Sequence, residues 1–276
     1  MDIRVNDLSF NYADSITALQ SVSFEITQGE RVALTGHNGS GKTTLVKHLN
    51  GLLRPSAGTI WIDGRNTAPV AIGQLAAQVA LLFQNPDNQI CKRYIWDEVA
   101  FGPRNLGYPK NRIHLLVEEA LALFELTPFK NENPHDFGYS ERKRIAMASI
   151  VAMDTPILVF DEPTAGLDYY EITLLVNTLT KLQCEGKTVL IITHDMDFVA
   201  ENISRAISLS DGKKVFDGNV RELFQQPQRI TGSGVLQPQV AQLGDAFGLP
   251  CPVLSPGECI AAIERQSTLG SYKTFS

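Results

Sequence analysis

Apolar and polar residues alternate at the start of the chain, with Ile3, Val5, Leu8 and Phe10, and later Val22, Phe24 and Ile26, on the apolar side. That pattern predicts half-buried antiparallel strands, and the turn-prone pair Gln28-Gly29 ends the run. Three later runs are apolar throughout: Arg31–Thr35, Pro156–Phe160 and Lys187–Thr193. Continuous runs of this length are expected of parallel strands covered on both faces. Between the first two lies a helix-rich section in which Ile113, Leu116, Val117, Ala120, Leu121 and Phe124 share one helical face. From about Thr231 the texture turns to Gly, Pro and Gln, which predicts a boundary. The expected architecture is α/β, with a main domain over 1–230 and an appendage over 231–276. The main domain holds a small antiparallel β-subdomain, a parallel core sheet and a helical subdomain at about 86–152.

Composition narrows the function classes. The 276 residues are 43% apolar, enough for a proper core. A net charge of −6 and a pI near 5.4 argue against a broad nucleic-acid surface. Cys91, Cys184, Cys251 and Cys259 form no CxxC pair, so neither a zinc site nor a disulfide framework is expected, and a reducing compartment fits. The charged opening MDIRVNDLSF lacks the apolar centre of a signal peptide, and no run approaches the roughly 18 apolar residues of a membrane span. Work at a membrane would therefore require other chains.

Candidate chemistry begins where Arg31–Thr35 runs into Gly36, His37, Asn38, Gly39, Ser40, Gly41, Lys42 and Thr43, a full G-x-x-x-x-G-K-[ST] match. Thr44, Leu45, Val46, Leu49 and Leu52 follow at helical spacing. Glycines let successive N–H groups wrap a phosphate, and the helix adds its positive dipole end. Lys42 is expected at the β and γ phosphates and the Thr43 hydroxyl at Mg²⁺. The apolar run at 157–160 ends in Asp161-Glu162. Two acids at the edge of a core are costly without partners. With a phosphate loop upstream, Asp161 fits the acid that holds Mg²⁺ through water, and Glu162 fits the base that polarises the attacking water.

With these motifs the chain, over about residues 1–225, resembles the ABC ATPase family, a P-loop NTPase fold. Asp161–Asp168 is similar to its combined Walker B and D-loop, Leu82–Pro86 to its Q-loop, and Ile192–Asp195 to its switch histidine. The resemblance implies ATP and Mg²⁺ as cofactors. It also implies that Gln84 senses Mg²⁺ and the attacking water, that His194 contacts the γ phosphate, that Asp168 communicates across a dimer, and that Tyr12 stacks on adenine.

The signature segment departs from the family's LSGGQ. Gly138 stands where serine is expected, Tyr139 and Ser140 replace the glycines, and Glu141 replaces glutamine. In the family this segment closes over the γ phosphate of the opposite subunit. Gly138 lacks the hydroxyl, and Glu141 brings a like charge, with Arg142 and Arg144 as candidate counter-charges. The expectation is a weak composite site, which favours a non-identical second ATPase subunit over a homodimer.

Phe83–Ile90, Asp97–Leu106, Leu236–Leu243 and Gly248–Pro250 further resemble the ATPases of energy-coupling-factor (ECF) importers, which take up vitamins or transition-metal ions. That resemblance implies a membrane scaffold subunit, a substrate-binding membrane subunit, a peripheral place on the cytoplasmic face, and a C-terminal ATPase–ATPase contact. The alternatives are a conventional ABC importer or exporter ATPase, or a soluble ABC ATPase acting on nucleic acid or ribosomes. The apolar group Ile90, Tyr94, Ile95, Trp96 and Phe101 beside Gln84 is expected to face a partner helix.

Overall fold

The structure, a computed structural model, describes residues 1–12, 16–225, 236–249 and 252–271, with side chains through 266. The boundary expected near 231, Cys251 and the Pro250 end of the tail motif lie outside the described residues.

The alternating N-terminal stretch forms β1 (Ile3–Tyr12) and β2 (Ile16–Ile26), paired antiparallel with Val5 opposite Phe24. With β4 (Ala57–Ile62) and β5 (Arg65–Asn66) they make a four-stranded sheet ordered β2-β1-β4-β5. The second sheet is built from β3 (Arg31–Thr35), β6 (Val79–Leu82), β7 (Ile157–Asp161), β8 (Thr188–Ile192), β9 (Arg205–Ser210) and β10 (Lys213–Asn219). Its order is β10-β9-β3-β8-β7-β6, parallel except for β10. Every residue of β7 and β8 is buried, as their unbroken apolar runs require of strands covered on both faces.

Two cores explain that coverage. One fills the space between the sheets and takes in α1 (Lys42–Leu49) through Leu45, Val46 and Leu49, and α2 (Ile72–Ala76) through Leu75. The other lies under α3 (Ile95–Asn105), α4 (Lys110–Leu123), α5 (Tyr139–Val151), α6 (Tyr169–Cys184), α7 (Met196–Asn202) and α8 (Val220–Gln225). On α4, Ile113, Val117, Ala120 and Leu121 are buried, and Phe124 follows them inward, whereas Leu116 is half-buried. α1 stops at Leu49 and leaves Leu52 exposed beyond it, so Leu52 does not belong to the helix's apolar face.

The apolar group beside Gln84 is corrected more substantially. Ile90 and Ile95 belong to the helical core, and Trp96 packs against it. Only Tyr94 and Phe101 present large exposed faces. The reason is the entry of α3, where Ile95 and Trp96 donate their backbone N–H groups to the carbonyls of Glu132 and Lys130 and are drawn inward.

After α8 the described chain forms two helices, Gln239–Ala246 and Pro256–Ser271. Leu249, Val253 and Cys259 make a small separate cluster between them. Arg221 ties this unit to α8 by an ion pair to Glu258 at 2.8 Å and a hydrogen bond to the Pro252 carbonyl at 2.9 Å. Among the described residues no helix is long and apolar enough to cross a membrane.

Phe124 is fully buried where α4 meets α5, and its carbonyl accepts a hydrogen bond from Arg144. Phe124→Ala is expected to destabilise the protein by about 3–5 kcal/mol, from lost burial plus the cavity left behind, measured as the shift of the urea unfolding midpoint.

Candidate nucleotide and hydrolysis site

Parallel strands deliver their C-terminal ends to one edge of the sheet, where ligands gather in open α/β folds. β3 ends at Thr35 and enters the glycine-rich loop, β6 leads to Gln84, β7 ends at Asp161, and β8 leads to His194. The register aligns Asp161 with Ile192 and Leu82 with Phe160, so these four ends lie side by side. A cleft of about 520 Å³ opens there, lined by Tyr12, Asn38, Lys42, Thr43, Gln84, Asp161 and Glu162 among others.

The loop is built for close approach. Gly36 and Gly41 have φ of +140° and +101°, and a Cβ at either would collide with a neighbouring backbone carbonyl, Leu209 or Ala18. Gly39 has open space where a Cβ would stand. The Ser40 N–H closes a turn onto the His37 carbonyl at 3.1 Å, and Gly41 caps α1. The His37 side chain turns outward toward Asp211, leaving its backbone to the loop. Lys42 donates to the Gly36 and His37 carbonyls at 2.7 and 2.9 Å, which curls its ammonium back over the loop. Burial lowers its pKa, opposed by the carboxylates of Glu162 and Asp161.

The Thr43 hydroxyl donates to Asp161 Oδ2 at 3.1 Å, although the two residues lie 118 apart in sequence. Burial raises the Asp161 pKa, with the Thr43 hydrogen bond acting against it. An oxygen-only set of Thr43, Asp161 and Gln84 beside a phosphate cradle fits Mg²⁺, a hard cation that takes few carboxylates and completes its shell with phosphate and water.

Glu162 is 6% exposed and holds φ at +51°, a region that costs a non-glycine residue on the order of 1–3 kcal/mol. Its N–H donates to the Ile192 carbonyl at 2.9 Å, which anchors that conformation. His194 Nδ1 approaches Glu162 Oε2 at 2.8 Å, an ion-pair distance rather than an aligned hydrogen bond. The imidazole is thrown outward because the residue after it, Asp195, caps α7 and accepts the Phe198 N–H. Tyr12 lines the cleft and shares a 3.2 Å hydrogen bond with the hydroxyl of Thr44, while its ring meets Phe10 edge-on.

The remaining residues singled out from the sequence stand elsewhere. Asp168 caps α6 in a capping box, accepting the Glu171 N–H at 2.8 Å, and is not among the residues lining this chain's cleft. Gly138, Tyr139, Ser140 and Glu141 begin α5, beside the Gln84 backbone, and do not line the cleft either. The Tyr139 hydroxyl donates to the Gln84 carbonyl at 3.3 Å, and its ring covers Gly166, where a Cβ would meet it at 2.8 Å. Glu141 folds over Gly138. Arg142 and Arg144 are not counter-charges for Glu141 as expected: they pair with Asp87 at 2.9 Å and Glu171 at 3.1 Å.

Sequence reasoning missed Ile16, Thr17, Ala18 and Ile192 in the cleft, all of which arrive through strand pairing. It also missed Lys143, which is fully buried and donates to the Gln84 carbonyl at 3.1 Å and the Glu162 carbonyl at 2.5 Å. The signal was its spacing, since Lys143, Met147 and Ile150 fall on the buried face of α5.

A family model described as ABC transporter matches residues 19–165. The chain is similar to a provisionally named ABC transporter ATP-binding protein of Methanosarcina acetivorans, 40% identical over 241 residues, covering 87% of this chain and 39% of that protein. It is also similar to the energy-coupling factor transporter ATP-binding protein EcfA of Methanothermobacter thermautotrophicus, 37% identical over 243 residues, covering 87% of this chain and 78% of that one. Among solved structures it is similar to cbiO1 from Clostridium perfringens, described as part of the ABC transporter complex cbiONQ. That match has 31% identity and a TM-score of 0.75, covering 89% of this chain and 98% of the other. The chain spans about two fifths of the length of the Methanosarcina relative. With the family model matching residues 19–165, more than half of the chain, on an α/β fold with an antiparallel sheet and a helical subdomain, the chain belongs to the ABC transporter family and carries its ATP-binding domain.

Proposed function

We propose that this chain hydrolyses MgATP to power an importer of the energy-coupling-factor type. The observation that carries the ATPase part is the convergence at one sheet edge of the glycine loop, the Thr43–Asp161 pair, Glu162, Gln84 and His194. Tyr12 stacks on adenine, the loop from Gly36 to Thr44 wraps the phosphates, and Lys42 swings from the loop carbonyls to the β and γ phosphates. Thr43, Asp161 and Gln84 hold Mg²⁺. Glu162 polarises the attacking water, and His194, against Glu162 Oε2, reaches the γ phosphate. The importer branch is supported by the likeness to an ECF ATP-binding protein and to a subunit of the cbiONQ complex. It places the chain on the cytoplasmic face of a membrane with scaffold and substrate-binding subunits, and makes vitamins or transition-metal ions its cargo class.

The signature geometry supports pairing with a different ATPase subunit. Tyr139 occupies space at the start of α5 that a glycine would leave open, Glu141 folds over Gly138, and the neighbouring arginines are engaged elsewhere. Asp168 reaches the opposite subunit only through such a dimer. The second helix pair, Gln239–Ala246 with Pro256–Ser271, is the further candidate for ATPase–ATPase contact.

Lys42→Ala is expected to weaken MgATP binding at least tenfold, by removal of the cation facing the β and γ phosphates, and equilibrium titration measures it. Normal binding would sink the phosphate assignment. Glu162→Gln should retain binding while single-turnover hydrolysis slows by a factor on the order of 10²; an unchanged rate moves the base elsewhere. The membrane partner tests the remaining part. Tyr94 and Phe101 are 42% and 39% exposed, with Arg93 over the Tyr94 ring and Lys92 over the Phe101 ring. Tyr94→Glu with Phe101→Glu is expected to abolish membrane association while ATP binding persists. Co-sedimentation with membranes at the native level would rule out this face as the docking surface.

A further inference from the structure

Lys143 rises from the second turn-forming stretch of α5 into the interior, with no exposed surface. Among the described residues its ammonium makes no ion pair at contact distance with a carboxylate; it donates to two backbone carbonyls, those of Gln84 and Glu162. Both of these residues line the cleft, Glu162 as the proposed base and Gln84 as a proposed Mg²⁺ ligand. A buried ammonium is costly unless its donors are satisfied. Here they are taken up by a specific connection between two segments of the cleft.

The surroundings make the connection rigid. Gln89 receives the Phe83 N–H at 3.0 Å and donates to the Ala146 carbonyl and the Ser149 hydroxyl on α5 at 3.0 and 2.9 Å. Arg142 on the same helix pairs with Asp87. The segment from Phe83 to Gln89 is therefore stapled along α5, and Tyr139 adds a second donor to the Gln84 carbonyl. On the other side, Glu162 holds a strained φ of +51° whose N–H is satisfied by Ile192 and whose carbonyl is satisfied by Lys143.

We infer that Lys143 is a positioning residue for hydrolysis: its ammonium bridges the carbonyls of Gln84 and Glu162, holding carboxamide and carboxylate in one arrangement about the attacking water and tying that arrangement to α5. This rests on Glu162 being the base, as proposed above. A misplacement of about an ångström at a reacting group is enough to cost a factor on the order of 10² in rate without touching ground-state binding.

The test uses the full-length chain in the complex with which it purifies. Lys143→Met keeps the aliphatic stem and removes the donors. Its KM for MgATP and its affinity for a non-hydrolysable ATP analogue should stay within about threefold of the parent, while kcat falls about 10- to 100-fold. Because Lys143 acts through Glu162 and Gln84, the loss in Lys143→Met combined with Glu162→Gln should be clearly smaller than the product of the two single losses. A parent-like kcat for Lys143→Met, beside a slowed Glu162→Gln, overturns the positioning role and leaves the base assignment standing. An unslowed Glu162→Gln overturns both. Losses that multiply in the double variant, or a KM that rises in step with the fall in kcat, overturn it in favour of a purely structural lysine. If Lys143→Met does not fold, Lys143→Gln decides by the same criteria, a reduced kcat at unchanged KM supporting the bridge and any other result overturning it.

Discussion

Four buried charges at the edge of the central sheet constrain the rest of the molecule. Asp161, Glu162, Lys42 and Lys143 are all less than a tenth exposed, two negative and two positive. Burial pushes Asp161 up and both lysines down, Lys143 to about 8, while the opposite charges of the group oppose those shifts. Taking such groups from water is expensive, and removing one partner of a buried set costs about 3–5 kcal/mol because the others are left uncompensated. The fold must therefore hold all four in register. The parallel pairing of β3, β7 and β8 does this for the acids and the glycine loop, and α5 does it for Lys143.

That arrangement joins two parts of the chain that function separately. α5 begins with the segment from Gly138 to Glu141, which does not line this chain's own cleft, yet Lys143 in its second turn reaches the backbone of Glu162, which does. The stretch after Gln84 is fastened to the same helix by Gln89 and Asp87. Displacement of α5 by anything docked on the helical layer is thus carried directly to the backbone of Gln84 and Glu162. Coupling here needs no long pathway, only a short set of hydrogen bonds on a rigid element.

Much of this was legible before any coordinates. β7 and β8 announced themselves because strands covered on both faces must be apolar throughout, and the glycine loop because close backbone approach to phosphate admits few other residues. Asp161 and Glu162 stood out as acids ending an apolar run. What could not be read was anything decided by a distant segment. Ile90 and Ile95 looked like docking residues because a loop's local pattern does not reveal whether the loop turns in or out. Lys143 sits in an Arg-Lys-Arg run that resembles a solvated face, and only the position of Met147 and Ile150 on its side of the helix hinted otherwise. Asp168, expected to communicate across a dimer, also accepts the Glu171 N–H at the first turn of α6, a capping role that the motif did not announce. Arg142 and Arg144 found acids on other elements, which adjacency in sequence to Glu141 did not foretell.

The helix pair after α8 has a different character from the two large cores. Its own cluster consists of Leu249, Val253 and Cys259, and among the described residues it is tied to the main body by Leu254, which joins the helical core, and by polar contacts through Arg221 and through Asp197, which accepts the Gln239 N–H. Its few buried apolar side chains, Ala241, Leu249, Val253, Leu254 and Cys259, at no more than about 1.5–3 kcal/mol each, do not offset the conformational entropy of ordering two helices by a wide margin. This unit therefore opens at a free energy well below that of global unfolding, as a local foldon whose amide protons exchange with solvent while those of β7 and β8 remain locked. A subunit so constructed can lose or remodel its terminal helices without its ATP-handling core registering the event.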